Sequence, residues 1–487
     1  MQIVSCPSCG AQVEFKSHAA VMAVCEFCQA TLMKELDAVK DIGKMSAVLE
    51  DYSQIQIGTS GKFGGRPFAV IGRIQLRWAA GMWNEWYLLF EDGSTSWLGD
   101  SSGLYTLTTE RAMAGALPAF GDIMPGRRFS IGGSGYTASE VRNAECIGGQ
   151  GELPFKVGQG WQAKVADFRN GSTFLTLDYS DADTPTVYTG VAVTLEELEC
   201  QLLREDEAIK ASAGKFKGKV SSLDCGACGS SIKYLPGLTS HLVCPACQAQ
   251  IDAASPKAQV VAATERVDAR PTSLELGASA RINGQSYRVI GMLCRADDEG
   301  NEWTEYLLYS TRAAFFWLVE TEEGWWKAAV MHTWPYWDWP GGQIATLDKA
   351  NFNKLYDYTA RVRYAAGAFN WRVAAGDTVH VTEFAGQQAR LAAERTDEEL
   401  TWSRSTPVAF DQLRAWFGPA LKGEARPLAE TEAKNWARPT TVLWWILGLN
   451  AIPLMLEFSH TLIYTLLAIA AIYLPMLFMS ADSKRKK

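Results

Sequence analysis

Eight cysteines carry the clearest chemistry in this sequence. They fall as Cys6-Pro-Ser-Cys9 with Cys25-Glu-Phe-Cys28, and as Cys225-Gly-Ala-Cys228 with Cys244-Pro-Ala-Cys247. In both sets fifteen residues separate the inner cysteines, which is the spacing of a zinc ribbon. Each Cys-x2-Cys turn aims two thiolates at one point. Two such turns complete a tetrahedron with no open position for water or substrate. The expected role is therefore structural: two zinc ions, one on Cys6, Cys9, Cys25 and Cys28, the other on Cys225, Cys228, Cys244 and Cys247. Four thiolates also suit iron, and a disulfide framework fits the paired spacing less well. Gly10 and Gly229 follow the second cysteine of each set, where a tight knuckle needs positive φ.

A second pattern is a carboxylate two residues after a tryptophan: Trp83 with Glu85, and Trp303 with Glu305. Strand alternation puts each pair on one face. A carboxylate beside an apolar ring has a raised pKa, and an aromatic with an acid suits recognition of a small cation. With Trp97 and Trp317 these residues form a candidate ligand or partner surface. The competing reading is a satisfied polar group on a strand. No P-loop, Gly-x-Gly-x-x-Gly, His-Glu-x-x-His or Gly-x-Ser-x-Gly pattern occurs, and the five histidines are scattered singly. No catalytic residue is expected, and the sequence leans away from an enzyme.

The elements that must position these residues occur twice. The cysteine sets are 219 residues apart, and that offset continues through Ile55-Gln-Ile-Gly58 and Leu274-Glu-Leu-Gly277, then Phe68-Ala-Val-Ile-Gly72 and Tyr287-Arg-Val-Ile-Gly291. After one inserted residue, Glu85-Trp-Tyr-Leu88 meets Glu305-Tyr-Leu-Leu308, and Trp97-Leu98 meets Trp317-Leu318. Further on, Val157 meets Val373 and Phe168 meets Phe384. The period marks a tandem duplication. Between the cysteine sets lie short β-branched and aromatic runs broken by Gly, Asp and Asn, with hairpin turns at Asp92-Gly93 and Asn170-Gly171. They predict an antiparallel sheet closed into a small barrel or folded as a sandwich.

The run Trp83-Asn-Glu-Trp-Tyr-Leu-Leu-Phe90, Asp92-Gly93 and Trp97-Leu98 resembles the bacterial domain of unknown function family 4178. Trp303-Thr-Glu-Tyr-Leu-Leu-Tyr309 and Trp317-Leu318 repeat it without the Asp-Gly turn. The resemblance covers roughly 50–200 and 270–415. It implies no catalytic residue. It implies a genetic neighbourhood of polyamine synthesis and envelope stress, and with it a polyamine-like cation as a candidate ligand.

The predicted organisation is mainly β and multidomain. A zinc ribbon (1–33) and a linker (34–54, read as a helix) precede a β domain with a C-terminal helix (55–213), which Thr194-Leu-Glu-Glu197 opens as a capping box. A second ribbon (214–251), a linker (252–273), a second β domain (274–420) and a linker (421–440) follow. Phe410 to Trp416 is the second domain's helix. Nine aromatics between Phe315 and Trp339 read as core packing, with a binding face as the alternative. Residues 441–479 contain two apolar runs, Thr441 to Phe458 and His460 to Met479, each near the ~20 residues that span a bilayer. They are expected to form a transmembrane helical hairpin, followed by a basic tail (480–487). Lys434, Arg438 and Lys484 to Lys487 flank it, so both termini are expected in the cytoplasm at the inner membrane. No signal peptide is expected. The net charge of −8 gives no support to a nucleic-acid partner. The expected function is a membrane-anchored cytoplasmic adaptor for a protein partner, with binding of a small polyamine-like cation, directly or as an enzyme subunit, as the alternative.

Overall fold

The computed structural model of the chain describes residues 2–15, 22–44, 53–205, 222–233, 241–252, 259–262, 272–423, 455 and 461–467, with short gaps at 26–27, 29, 36–37, 80, 102, 156, 158–159, 311–313 and 370. In the first copy, β1 (Gln2–Ser5) and β2 (Gln12–Phe15) form a hairpin, and β3 (Met22–Val24), β4 (Ala30–Glu35) and β5 (Ala38–Lys44) form an antiparallel ribbon. The larger part contains β6 (Ser60–Phe63), β7 (Arg66–Trp78), β8 (Gly81–Phe90), β9 (Thr95–Ser101), β10 (Leu104–Glu110), β11 (Arg128–Ile131), β12 (Ser134–Leu153), β13 (Gln162–Asn170), β14 (Thr173–Asp178) and β15 (Thr186–Val193).

These strands pair in the order β7-β8-β9-β10-β15-β14-β13-β12, and β12 returns to pair with β7. The outcome is a closed barrel. Closure satisfies the backbone groups that an open sheet leaves on its edges. The twenty-residue β12 makes this possible. One part of it pairs with β13, the next with β7, and its last two residues, Glu152 and Leu153, pair with Ala23 and Met22 of β3. The cysteine-bearing ribbon is thus an extension of the barrel sheet.

The second copy repeats this order. Its strands are β16 (Ser222–Asp224), β17 (Ser231–Lys233), β18 (His241–Val243), β19 (Gln250–Asp252), β20 (Gln259–Ala262), β21 (Ser279–Ile282), β22 (Gln285–Ala296), β23 (Glu302–Ser310), β24 (Ala314–Thr321), β25 (Gly324–Val330), β26 (Tyr336–Trp337), β27 (Ile344–Leu347), β28 (Ala350–Phe369), β29 (Thr378–Ala385), β30 (Arg390–Arg395) and β31 (Leu400–Val408). The ring β22-β23-β24-β25-β31-β30-β29-β28 closes through β28–β22, and β18 extends from β28. The duplication is therefore a repeat of fold as well as of sequence. Helix α1 (Phe410–Phe417) buries Phe410, Leu413 and Phe417; the last two pack against the outer face of this barrel with Tyr287, Val289 and Leu308.

The Val-Ile-Gly match between the copies has a steric cause. A Cβ on Gly72 would stand 1.9 Å from the Glu152 carbonyl oxygen, and one on Gly151, at φ +68°, 2.2 Å from that of Ile71. Gly291 and Gly367 meet Ala368 and Ile290 in the same way, at 2.7 and 2.3 Å. Where the closing strands come this close, only glycine fits.

The two barrels also touch. Gly81 bridges to Trp371 and Glu140 to Glu399, and the Val141 N–H donates to the Glu398 carbonyl at 2.9 Å. The Arg142 guanidinium, on the first barrel, donates to Glu399 at 2.8 Å, stands 3.0 Å from Glu140 and lies 3.8 Å over the Trp78 ring.

Several expectations are corrected. Residues 34–35 end strand β4 and 38–44 form β5, where a linking helix over 34–54 was expected, and strands β19 and β20 reach into 252–273. Thr194 and Glu197 make their reciprocal capping hydrogen bonds at 2.8 and 3.1 Å, but a turn follows, not a helix. Glu199 and Leu202 take positive φ, and Gln201 pairs with Ser60, so tertiary strand pairing overrides the local helix signal. The tryptophan-rich stretch, by contrast, packs as expected: Trp325, Trp326, Trp334 and Trp337 are buried, and Tyr336 is the exposed exception among its aromatics. The membrane hairpin and the two-span location at the inner membrane are not upheld. Among the described residues no helix is long and apolar enough to cross a membrane. Of 441–479 only Met455 and 461–467 are described; the rest of that stretch, the basic tail and 424–440 lie outside the described residues.

Closure yields a prediction. Gly151→Ala should cost at least about 2 kcal/mol, combining a left-handed alanine with backbone overlap. Gly93→Ala, also at positive φ but with nothing within 4 Å, should cost about 1 kcal/mol. Urea midpoints compare the two; equal costs would contradict the closure.

Candidate functional site

Two sites emerge from this framework: the cysteine clusters and the barrel interiors. In each cluster two knuckles face one another. The Gly10 N–H donates to the Cys6 carbonyl at 2.8 Å, and the Gly229 N–H to that of Cys225 at 2.7 Å. Both glycines take the positive φ the knuckle requires, 77° and 76°. Cys6 and Cys28 sulfurs lie 3.6 Å apart, as do Cys9 and Cys25; Cys225–Cys247 and Cys228–Cys244 lie at 3.7 Å. All four sulfurs of each cluster fall within 4.8 Å of one another. A disulfide needs about 2.05 Å, so these are free thiols. Four sulfurs about 2.3 Å from one centre stand about 3.8 Å apart, so both clusters fit a tetrahedrally bound ion. The second cluster is fastened to its barrel by polar contacts. Gln248 Oε1 accepts the Ala365 N–H at 3.1 Å, and the Tyr364 hydroxyl donates to the Pro245 carbonyl at 3.1 Å.

Inside the second barrel, side chains meet across the ring. Arg295 on β22 donates from Nη1 to Glu394 Oε2 on β30 at 3.0 Å, and its Nε stands 3.5 Å from Glu305 Oε2 on β23. Strands β22 and β30 are not neighbours, so this face points into the lumen. Trp303 donates its indole N–H to Glu305 at 2.7 Å and meets Tyr358 edge-on at 5.8 Å. Tyr358 donates to Glu383 at 2.7 Å. Burial pushes the Glu305 carboxyl up, and Arg295 pulls it back.

The first barrel places the matching residues alike. The Trp83 indole donates to Glu85 at 3.1 Å. Burial pushes the Glu85 carboxyl up to about 7; the Trp83 hydrogen bond opposes this, and the charge of Asp178 on β14 adds to it. Asp178 lies on the opposite side of the ring from β8. Asp167 is likewise pushed up to about 7, by burial and by Glu140, although Thr176 donates to it at 2.7 Å.

Of the expected surface residues, Trp83 with Glu85 and Trp303 with Glu305 come together, but within the barrels. Trp97 packs against the same cluster as Trp83, and Trp97 and Trp317 each make aromatic contacts of their own. Trp97 packs on Tyr87 at 4.7 Å and Phe155 at 5.8 Å, and Trp317 on Trp371 at 5.6 Å, in aromatic plugs. Cys146 and Cys294 are buried and Cys200 half-buried, and burial pushes Cys146 up to about 12. Sequence reasoning missed Arg295, Glu394, Asp178 and Arg142. One signal was available: the offset of 216 residues seen at Val157 and Val373 also aligns Asp178 with Glu394.

The chain matches the family model described as a domain of unknown function, DUF4178, over residues 56–195 and again over 275–410. The two matches span more than half of the 487 residues; the chain belongs to this family and carries its domain twice. No curated protein is a significant match.

The Glu85 carboxyl has a pH signature. Its folded value near 7 lies above the ordinary 4.5, so its contribution is fully present below about pH 4.5 and is lost as pH rises through 7. That full loss is about 3 kcal/mol. Glu85→Gln should remove it, so the variant gains on the parent by about 2 kcal/mol between pH 5.5 and pH 8. Urea unfolding at both pH values checks this; a constant difference would contradict it.

Proposed function

We propose that this DUF4178 protein is an adaptor: a non-catalytic scaffold in which two zinc ribbons brace two barrels that present a protein-binding surface. One observation carries the reading. On the β26–β28 extension, Tyr336, Ile344, Leu355 and Tyr356 are exposed at 56, 45, 38 and 46 %. By register Tyr336 and Ile344 share a face with Thr346, Asn351 and Asn353, opposite the buried Trp337, Ala345 and Phe352. Among the described residues, strand β26 has no counterpart in the first copy. Exposed aromatic and aliphatic side chains of this kind anchor protein partners. Two barrels joined through Arg142 and Glu399 would offer such a partner two modules in one arrangement.

In this reading Cys6, Cys9, Cys25 and Cys28 hold one zinc, and Cys225, Cys228, Cys244 and Cys247 another. Each ion, when bound, supplies a tetrahedral cross-link between two hairpins and no open coordination position. The chain's own contribution is the pair of knuckles that preset the sulfurs, and Gln248 and Tyr364, which tie the second cluster to its barrel.

Elemental analysis should find two zinc per chain, and one after Cys6→Ser with Cys9→Ser. Iron, or loss of both ions in that variant, would contradict the assignment. A photo-cross-linking residue at position 344 should yield one adduct of defined mass, identified by mass spectrometry. Tyr336→Asp should reduce it at least tenfold. No adduct, or one unchanged by Tyr336→Asp, would sink the adaptor reading.

A further inference from the structure

The duplication supplies an internal comparison. Register makes Glu85 the equivalent of Glu305, since each pairs with the residue two beyond the closing glycine, Ile74 and Leu293. Asp178 is the equivalent of Glu394, because Ala166 and Val165 of β13 pair with Leu177 and Asp178 as Thr382 and Val381 of β29 pair with Ala393 and Glu394. Both barrels therefore set one carboxylate on the second strand of the ring against another on the opposite side. In the second barrel the Arg295 guanidinium stands between them, 3.5 Å from Glu305 and 3.0 Å from Glu394. Arg295 pairs with Trp303; the residue that pairs with Trp83 is Leu76. The first barrel has the acid pair and the tryptophan, and an apolar side chain where the bridging cation belongs.

Among the described residues, no ion pair or hydrogen bond joins a basic side chain to Glu85 or Asp178. Arg142 is held by Glu399, Glu140 and the Trp78 ring. Arg169 lies in the field of Glu140 and Asp167 and 4.4 Å over the Phe174 ring. The other groups whose charges or titration couple to Glu85, Tyr188 and Cys146, carry no positive charge. Apart from Trp83, Glu85 has no hydrogen-bond partner among the described residues. Asp178 holds the Ser180 N–H at 2.9 Å and the Ser180 hydroxyl through one oxygen only. Two carboxylates of like charge in a half-buried lumen repel one another and are costly to ionise. A cation between them removes both costs, as Arg295 does in the duplicate.

We propose that the first barrel binds a small organic cation, with a guanidinium or primary ammonium head, between Glu85 and Asp178 in the place that Arg295 occupies in the second. Leu76 and Trp83 would line its apolar stem. Because the matching site of the second barrel is filled by its own chain, the stoichiometry is one.

Calorimetric titration of the full chain at pH 8 with methylguanidinium, and separately with n-propylammonium, tests this. At least one probe should bind at one per chain with a millimolar dissociation constant, roughly 4 kcal/mol. The comparison shows which head group the site prefers. Glu85→Gln should weaken binding at least tenfold, and Leu76→Arg should abolish it by supplying the missing guanidinium. Arg295→Leu should raise the stoichiometry to two. If Leu76→Arg or Arg295→Leu does not fold, the parent and Glu85→Gln decide alone. No saturable binding of either probe by the parent, or binding unchanged by Glu85→Gln, overturns the proposal.

Discussion

Everything distinctive about this chain depends on one backbone contact made twice, the pairing of β12 with β7 and of β28 with β22. If these strands did not meet, each copy would be an open, twisted sheet with two exposed edges and no interior. Because they meet, eight strands enclose a lumen, and residues far apart in sequence face one another across it. The contact is demanding. Two glycines per copy allow the backbones to approach within a distance that no Cβ tolerates. The same long strand that closes the barrel then runs on to pair with the cysteine-bearing ribbon. Barrel closure and cluster position are thus properties of one strand.

Closure also explains the electrostatics. A lumen takes carboxylates out of bulk water without neutralising them, which is why burial raises Glu85, Asp167 and Glu305 alike. The copies differ in how they compensate. The second uses Arg295, whose guanidinium reaches two acids at once. The first commits Arg142 to the contact with the other barrel. A buried ion pair contributes little net stability, because desolvation offsets its Coulomb gain. These arginines matter more for where they hold partners than for how tightly.

Much of this was legible in the sequence. Cysteine spacing implied two four-thiolate clusters because a metal needs its ligands close in pairs. The 219-residue offset implied two equivalent folds, and the Trp/Glu alternation implied a shared strand face. Three things were not legible. Which strand closes the barrel depends on pairing partners dozens of residues apart. The capping box at Thr194 formed as written, yet Gln201 paired with Ser60 in place of a helix, a tertiary preference with no local trace. The apolar runs over 441–479 satisfy a length rule, whereas among the described residues no helix of that length exists.

The closed barrel is the claim on which the rest stands, and amide hydrogen exchange read by mass spectrometry tests it most directly. If β7 and β12 pair, peptides covering Arg73 to Arg77 and Glu145 to Gly151 should be protected as strongly as the central β8 and β9. Those covering the edge strand β6 should exchange much faster. The same ranking should hold for Gly291 to Ala296 against β21 in the second copy. Rapid exchange of both closing segments, at the rate of the edge strands, would mean that the sheets are open, that no lumen exists, and that Glu85 and Asp178 do not face one another.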